Sequence, residues 1–158
     1  MSTVKETIKL KSYLDVQEER DAGEALYPGH LLEITSVGKF QKHSNAGQNV
    51  VQIFAIEDAL QGKDIDDQYS SDDPVRGWIP QRGDHALTVL ADGENVEIGD
   101  YLESAGNGTL QKHIVESTTY SNQIVGIAVE AMDLSGSAGA ESSGTLDYPR
   151  NRLRILIL

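Results

Sequence analysis

Gly29-His-Leu-Leu-Glu-Ile-Thr-Ser-Val-Gly-Lys-Phe-Gln-Lys-His43 recurs as Gly99-Asp-Tyr-Leu-Glu-Ser-Ala-Gly-Asn-Gly-Thr-Leu-Gln-Lys-His113, 70 residues further on and without a gap. Gly29/Gly99, Leu32/Leu102, Glu33/Glu103, Gly38/Gly108, Gln41/Gln111, Lys42/Lys112 and His43/His113 match, and Phe40 corresponds to Leu110. In each copy a short alternating run leads into a glycine turn and back out again, which is the pattern of a β-hairpin. The likeness resumes at Phe54-Ala-Ile-Glu57 against Ile127-Ala-Val-Glu130, now 73 residues apart, so the second loop is three residues longer. Two copies at so long a period do not make a solenoid. They predict two related β modules, at 27–57 and 97–130, in one compact body.

Outward from the hairpins, most of the chain reads as short strands. Asn49–Glu57 is rich in β-branched residues, and Ile124–Met132 is its counterpart. Pro74–Pro80 reads as an edge strand because proline cannot donate to a ladder, with Trp78 half-buried in it. His85–Ala91 and the apolar Arg152–Leu158 add two more. Asn107-Gly108 is the signal of a type I′ turn, which needs positive φ at both central positions. Residues 15–26 are polar enough for an exposed linker, and 135–147 are rich in Gly and Ser. The predicted fold is all-β, a compact barrel or sandwich. It consists of an N-terminal arm and linker at 1–24 and a β-rich domain at 25–158.

The formal net charge is −12, unevenly spread. Residues 1–13 carry Lys5, Lys9 and Lys11 against Glu6, and 150–158 carry Arg150, Arg152 and Arg154 with no acid. The 14–149 body holds 7 basic and 24 acidic residues. A body of that sign repels nucleic acid and anionic membranes, so neither is expected as a partner. The cationic ends either tie down onto the acidic body or reach an acidic partner. With no Cys, disulfides, thiolate metal sites and a cysteine nucleophile are excluded. No apolar run approaches the roughly 18 residues of a membrane span, and no signal-type stretch opens the chain. Synthesis and retention in a cytoplasm-like compartment are expected.

No constellation of residues carries chemistry. Asp64, Asp66, Asp67, Asp72 and Asp73 would offer a cation hard oxygen ligands, but they lack the order of an EF-hand loop. His30, His43, His85 and His113 lack the local spacing of a zinc site, and the repeated His43/His113 pair follows from duplication. Ser135-Gly-Ser137 is not a nucleophile elbow, and no phosphate-cradling loop is present. The expectation is a non-enzyme without cofactor or metal.

Several phrases in order give the chain a relative. They are Val50-Val-Gln-Ile-Phe-Ala-Ile-Glu-Asp58, Leu60-Gln-Gly-Lys-Asp-Ile-Asp-Asp67, Val75-Arg-Gly-Trp-Ile-Pro-Gln-Arg-Gly-Asp84, Ile98-Gly-Asp-Tyr-Leu-Glu-Ser104, Ile124-Val-Gly-Ile-Ala-Val-Glu130 and Arg152-Leu-Arg-Ile-Leu-Ile157. Over residues 25–158 the chain resembles the head decoration, or capsid cement, proteins of tailed bacteriophages. The resemblance implies a structural virion protein on the capsid exterior. Such a protein binds the major capsid protein, associates as a homotrimer, stabilises the expanded head and has no catalytic site. In such families a terminal arm often reaches the lattice. Here Lys5, Ile8, Lys9, Leu10 and Lys11 are the candidate capsid contacts, as an alternating arm able to add a strand to a capsid edge. Two rival classes are a receptor- or glycan-binding virion module and a hydrolase on a trimeric β scaffold.

Overall fold

The computed structural model describes residues 7–114, 123–136 and 151–158. The chain is all-β. The first part holds β1 (Lys9–Lys11), β2 (Gln17–Asp21), β3 (Leu32–Ile34), β4 (Phe40–Lys42), β5 (Phe54–Ala55) and β6 (Pro74–Trp78), with one 3-10 turn at Ala59–Gln61. The second holds β7 (His85–Val89), β8 (Asn95–Val96), β9 (Tyr101–Ser104), β10 (Leu110–Lys112), β11 (Ile124–Ala128), β12 (Met132–Asp133) and β13 (Arg152–Ile157). The largest sheet runs β1-β7-β13-β11-β9-β10, a second runs β2-β6-β5, and β3-β4 and β8-β12 are two-stranded. β1 and β10, the ends of the large sheet, are not paired with each other among the described residues, but Leu110 of β10 bridges back to Leu90 just past β7, so the sheets curl on themselves in a sandwich-like architecture.

The two hairpins share one register. Leu32, Glu33 and Ile34 face Lys42, Gln41 and Phe40, while Leu102, Glu103 and Ser104 face Lys112, Gln111 and Leu110. Side-chain contacts repeat as well: Gln41 donates to Glu33, Gln111 donates to Glu103 at 2.9 Å, and the Lys42 and Lys112 amides donate to Glu24 and Glu94. The correspondence extends past the hairpins. β2 on β6 pairs Gln17 with Trp78 through Asp21 with Pro74, and β7 on β13 pairs His85 with Leu156 through Val89 with Arg152. Phe54–Trp78 and Ala55–Gly77 in the first half match Ile127–Leu156 and Ala128–Ile155 in the second. Residues 17–78 and 85–156 therefore follow one strand plan.

Within that plan large and small residues trade places. A Cβ on Gly77 would lie 2.9 Å from Ile53 Cγ2, and a Cβ on Gly126, the counterpart of Ile53, would lie 2.9 Å from Ile155 Cδ1, the counterpart of Gly77. Each module fills the same gap from the opposite strand. One core cluster draws Leu31, Phe54 and Trp78 from the first module and Leu90, Leu102, Val125, Leu153 and Ile155 from the second, so the modules form a single body. A smaller cluster around Phe40, Ile53, Tyr69 and Val75 belongs to the first module.

Five readings of the sequence change. The polar Gln17–Asp21 is a strand; it lies at the edge of its sheet, where its charged side chains can stay in water while its backbone pairs. Pro74–Trp78 is the central strand of that sheet, and Pro74 is accommodated as its first residue. Trp78 is fully buried. Of the expected strand at Asn49–Glu57, only Phe54–Ala55 pairs as one. The second hairpin turn takes its positive φ at Gly106 and Gly108 rather than at Asn107, whose side chain accepts the Thr109 amide instead. Most of the Gly/Ser-rich 135–147 stretch lies outside the described residues.

Gly77 is the position where this packing is least forgiving, because an added Cβ would also sit 2.8 Å from Phe40 Cζ. Gly77→Ala is expected to cost about 1–3 kcal/mol as overpacking. Gly136→Ala, with nothing within 4 Å, should leave the urea midpoint unchanged.

Candidate functional site

Ile8 of the predicted arm is not available to a partner, and Leu10 is half-buried. Ile8 is fully buried in the shared core; its amide donates to Glu57 and its carbonyl accepts from Leu87 at 2.9 Å. Leu10 packs against the same core, and Lys9 pairs with Asp15 at 2.7 Å. Lys11 is exposed, and Lys5 lies outside the described residues. The segment thus forms β1, paired with β7 at one end of the large sheet.

The cationic C-terminal segment ties down onto the acidic body at Arg152. This side chain, 7% exposed, reaches Asp66 at 2.8 Å and donates to the Pro28 and Ile65 carbonyls. The other acids of that loop are also engaged. Asp67 accepts the Asp64 amide, Asp64 accepts the Asp66 amide, Asp73 accepts the Ser70 amide and Asp72 pairs with Lys39. The carboxylates close turns, which is the usual reason for Asp in such loops. No group of three or more His, Asp or Glu side chains is placed to hold a metal among the described residues.

The histidines do not form a site. His43 meets Ser104 Oγ at 2.6 Å through Nδ1, and its Nε2 lies 3.9 Å from Glu33 Oε2. These are the residue types of a hydrolytic triad, but Ser104 is fully buried and accepts the Gly106 amide, so no substrate reaches it. His113 bonds Glu103 at 2.8 Å within its own hairpin. His85 lies on β7, half-buried. His30 accepts the Tyr27 amide on Nδ1, and burial pushes its pKa down to about 3.

What the surface offers is apolar area. A groove of about 260 Å³ runs beside the first hairpin between Leu32, Ile34, His43, Val50, Val51 and Ile53. Ile34 and Val51 are exposed in it; elsewhere Val37 is exposed at the first hairpin turn, Ile98, Tyr101 and Ile114 on the second module, and Tyr13, Leu14 and Val16 between β1 and β2. Contiguous apolar patches mark interaction sites, whereas singly exposed apolar residues do not. In the sequence, single exposed apolar residues carry no pattern until the fold groups them.

No family model matches the chain, and no curated protein matches it in sequence. The fold does have a solved counterpart. It is similar to the head fiber gp8.5 N base of bacteriophage phi29, seen in a crystal structure. The TM-score is 0.56 at 12% identity, over 92% of this chain and 95% of that one. The likeness is one of fold and spans both modules.

His30 gives a pH prediction. Below its ordinary pKa of about 6.5 the unfolded chain takes up a proton that folded His30 refuses until about pH 3. Its contribution to stability is therefore full above pH 6.5 and is lost as the pH falls toward 3, by at most about 1.4 kcal/mol per pH unit. Denaturant melts of His30→Asn across this range should show a shallower slope than the parent protein.

Proposed function

We propose that this protein is a structural component of a tailed-phage head that binds the outer surface of the expanded shell and stabilises it. The observation that carries the reading is the end-to-end likeness of fold to a phage head fiber base. The acidic body, which disfavours nucleic acid, and the absence of an accessible nucleophile–base pair among the described residues agree with a binding role. On this reading the partner is the major capsid protein, the location is the virion exterior, and copies associate as trimers that engage repeated sites with avidity. The capsid contact is placed at the outer edge of β1, with Lys11 and the preceding Lys5 supplying charge; Ile8 and Leu10 hold the strand on its own core. Strand addition at such an edge draws its affinity from main-chain hydrogen bonds.

Purified protein mixed with undecorated expanded heads and with unexpanded proheads of the phage that encodes it should co-sediment with the expanded heads. Combined Lys5→Glu and Lys11→Glu should weaken that binding without changing the thermal melt. Failure of the parent protein to sediment with either particle overturns the reading.

A further inference from the structure

The joint between the two modules is directional. The first module contributes the face around Leu31, His43 and Gly47, and the second receives it on its hairpin. The Leu31 amide donates to Gly108 O at 2.8 Å, the Gly108 amide to His43 O at 3.1 Å, and the Gly47 amide to Ser104 O at 2.9 Å. His43 reaches Ser104, and the Gln123 amide group pairs with Val50. Among the described residues the bonds of the Gly108 turn are not mirrored at its counterpart Gly38, whose carbonyl accepts from Arg20 and whose amide donates to Thr35 O; Val50 and Gln123 are equivalent positions and pair with each other.

Because both modules follow one plan, each keeps the half of the hairpin-turn contact that the other uses. The first module has an unused receiving face, the second an unused contributing face. On the contributing side Pro28, Gly29 and Leu31 are buried, whereas their counterparts Ile98, Gly99 and Tyr101 are exposed, Tyr101 by 48%. On the receiving side Ser104 is fully buried, whereas its counterpart Ile34 is 45% exposed. The glycines record the same difference. A Cβ on Gly108 would strike Lys42 Cγ at 2.7 Å, while one on Gly38 would meet only Arg20 Nη1 at 3.4 Å. A Cβ on Gly29 would meet Leu87 O at 3.2 Å, while one on Gly99 would meet nothing within 4 Å. The vacant halves carry exposed apolar side chains among polar ones: Ile34 and Val51 beside Glu33 and Asn49 on one, Ile98 and Tyr101 on the other.

We propose that these two faces bind each other between chains: a second copy sets its Ile98–Tyr101 face on the Ile34–Val51 groove, repeating head to tail the joint that already holds the modules together. A heterologous contact of this kind builds a closed ring or an open chain, never a twofold dimer. Where the internal joint packs Leu87 and Val89 against Gly29, the first module offers Glu19 and Asp21, so the contact between chains is more polar and weaker than the internal one. The inference concerns self-association alone and is tested separately from capsid binding.

Sedimentation velocity of the full chain should show an oligomer that Ile34→Glu and Tyr101→Glu each reduce to monomer. Both sites are exposed, so circular dichroism and the melting temperature of each variant should match those of monomeric parent. Mixing the two variants should restore one contact and stop at a heterodimer, because one retains the contributing face and the other the receiving face. A parent protein that is monomeric at every concentration, variants that keep the parental mass, or a mixture that stays monomeric would each overturn the proposal.

Discussion

The fold depends on the seam at which the turn of the second hairpin enters the first module. Gly108 both donates and accepts there, bonding His43 O and Leu31 N, and Lys42 covers its α-carbon so closely that no side chain fits. Around these bonds the main core closes, with Leu31, Phe54 and Trp78 from one side and Leu102, Val125 and Leu153 from the other. A unit of about 60 residues buries too little surface to be more than marginally stable alone. Two such units sharing a core escape that limit. Arg152 fastens the far end by bonding Pro28 and Ile65 of the first module from the last strand of the second.

One backbone plan with two sets of side chains explains much of the rest. The hairpin registers are the same, and so are the Glu–Gln pairs and the amide contacts to Glu24 and Glu94. Divergence is concentrated where the environments differ. β2 carries Gln-Glu-Glu-Arg-Asp at a sheet edge, and its counterpart β7 carries His-Ala-Leu-Thr-Val between β1 and β13. Ser104 suits a buried position facing His43, and Ile34 occupies the same place on an open surface. The seam therefore accounts both for the cohesion of the chain and for the apolar patches left at its two ends.

The hairpins were legible in the sequence because their glycines, Gly38 and Gly108, and the Gln-Lys-His endings were retained together. The outer strands were not. Gln17–Asp21 and His85–Val89 share a register with their partners but no residue type, since ladder pairing is made by the backbone and places no demand on side chains beyond burial. The same independence made β2 read as a linker and Pro74–Trp78 as an edge. The N-terminal alternation of Ile8, Lys9, Leu10 and Lys11 predicts a strand, but alternation cannot name the strand it pairs with, which is β7 of the same chain. The apolar groove was invisible because Leu32, Ile34, Val51 and Ile53 come from two segments that only the fold brings together.

If the seam makes two modules one body, its amides must open only when the whole chain unfolds. Native-state hydrogen exchange, followed by NMR at increasing denaturant, tests this most directly. The Leu31, Gly47 and Gly108 amides should exchange with the free energy and denaturant dependence of the core amides in β6 and β13. Exchange of the seam amides through a low-energy opening that leaves β6 and β13 protected would show that the modules are separate units resting against each other, and would contradict the account.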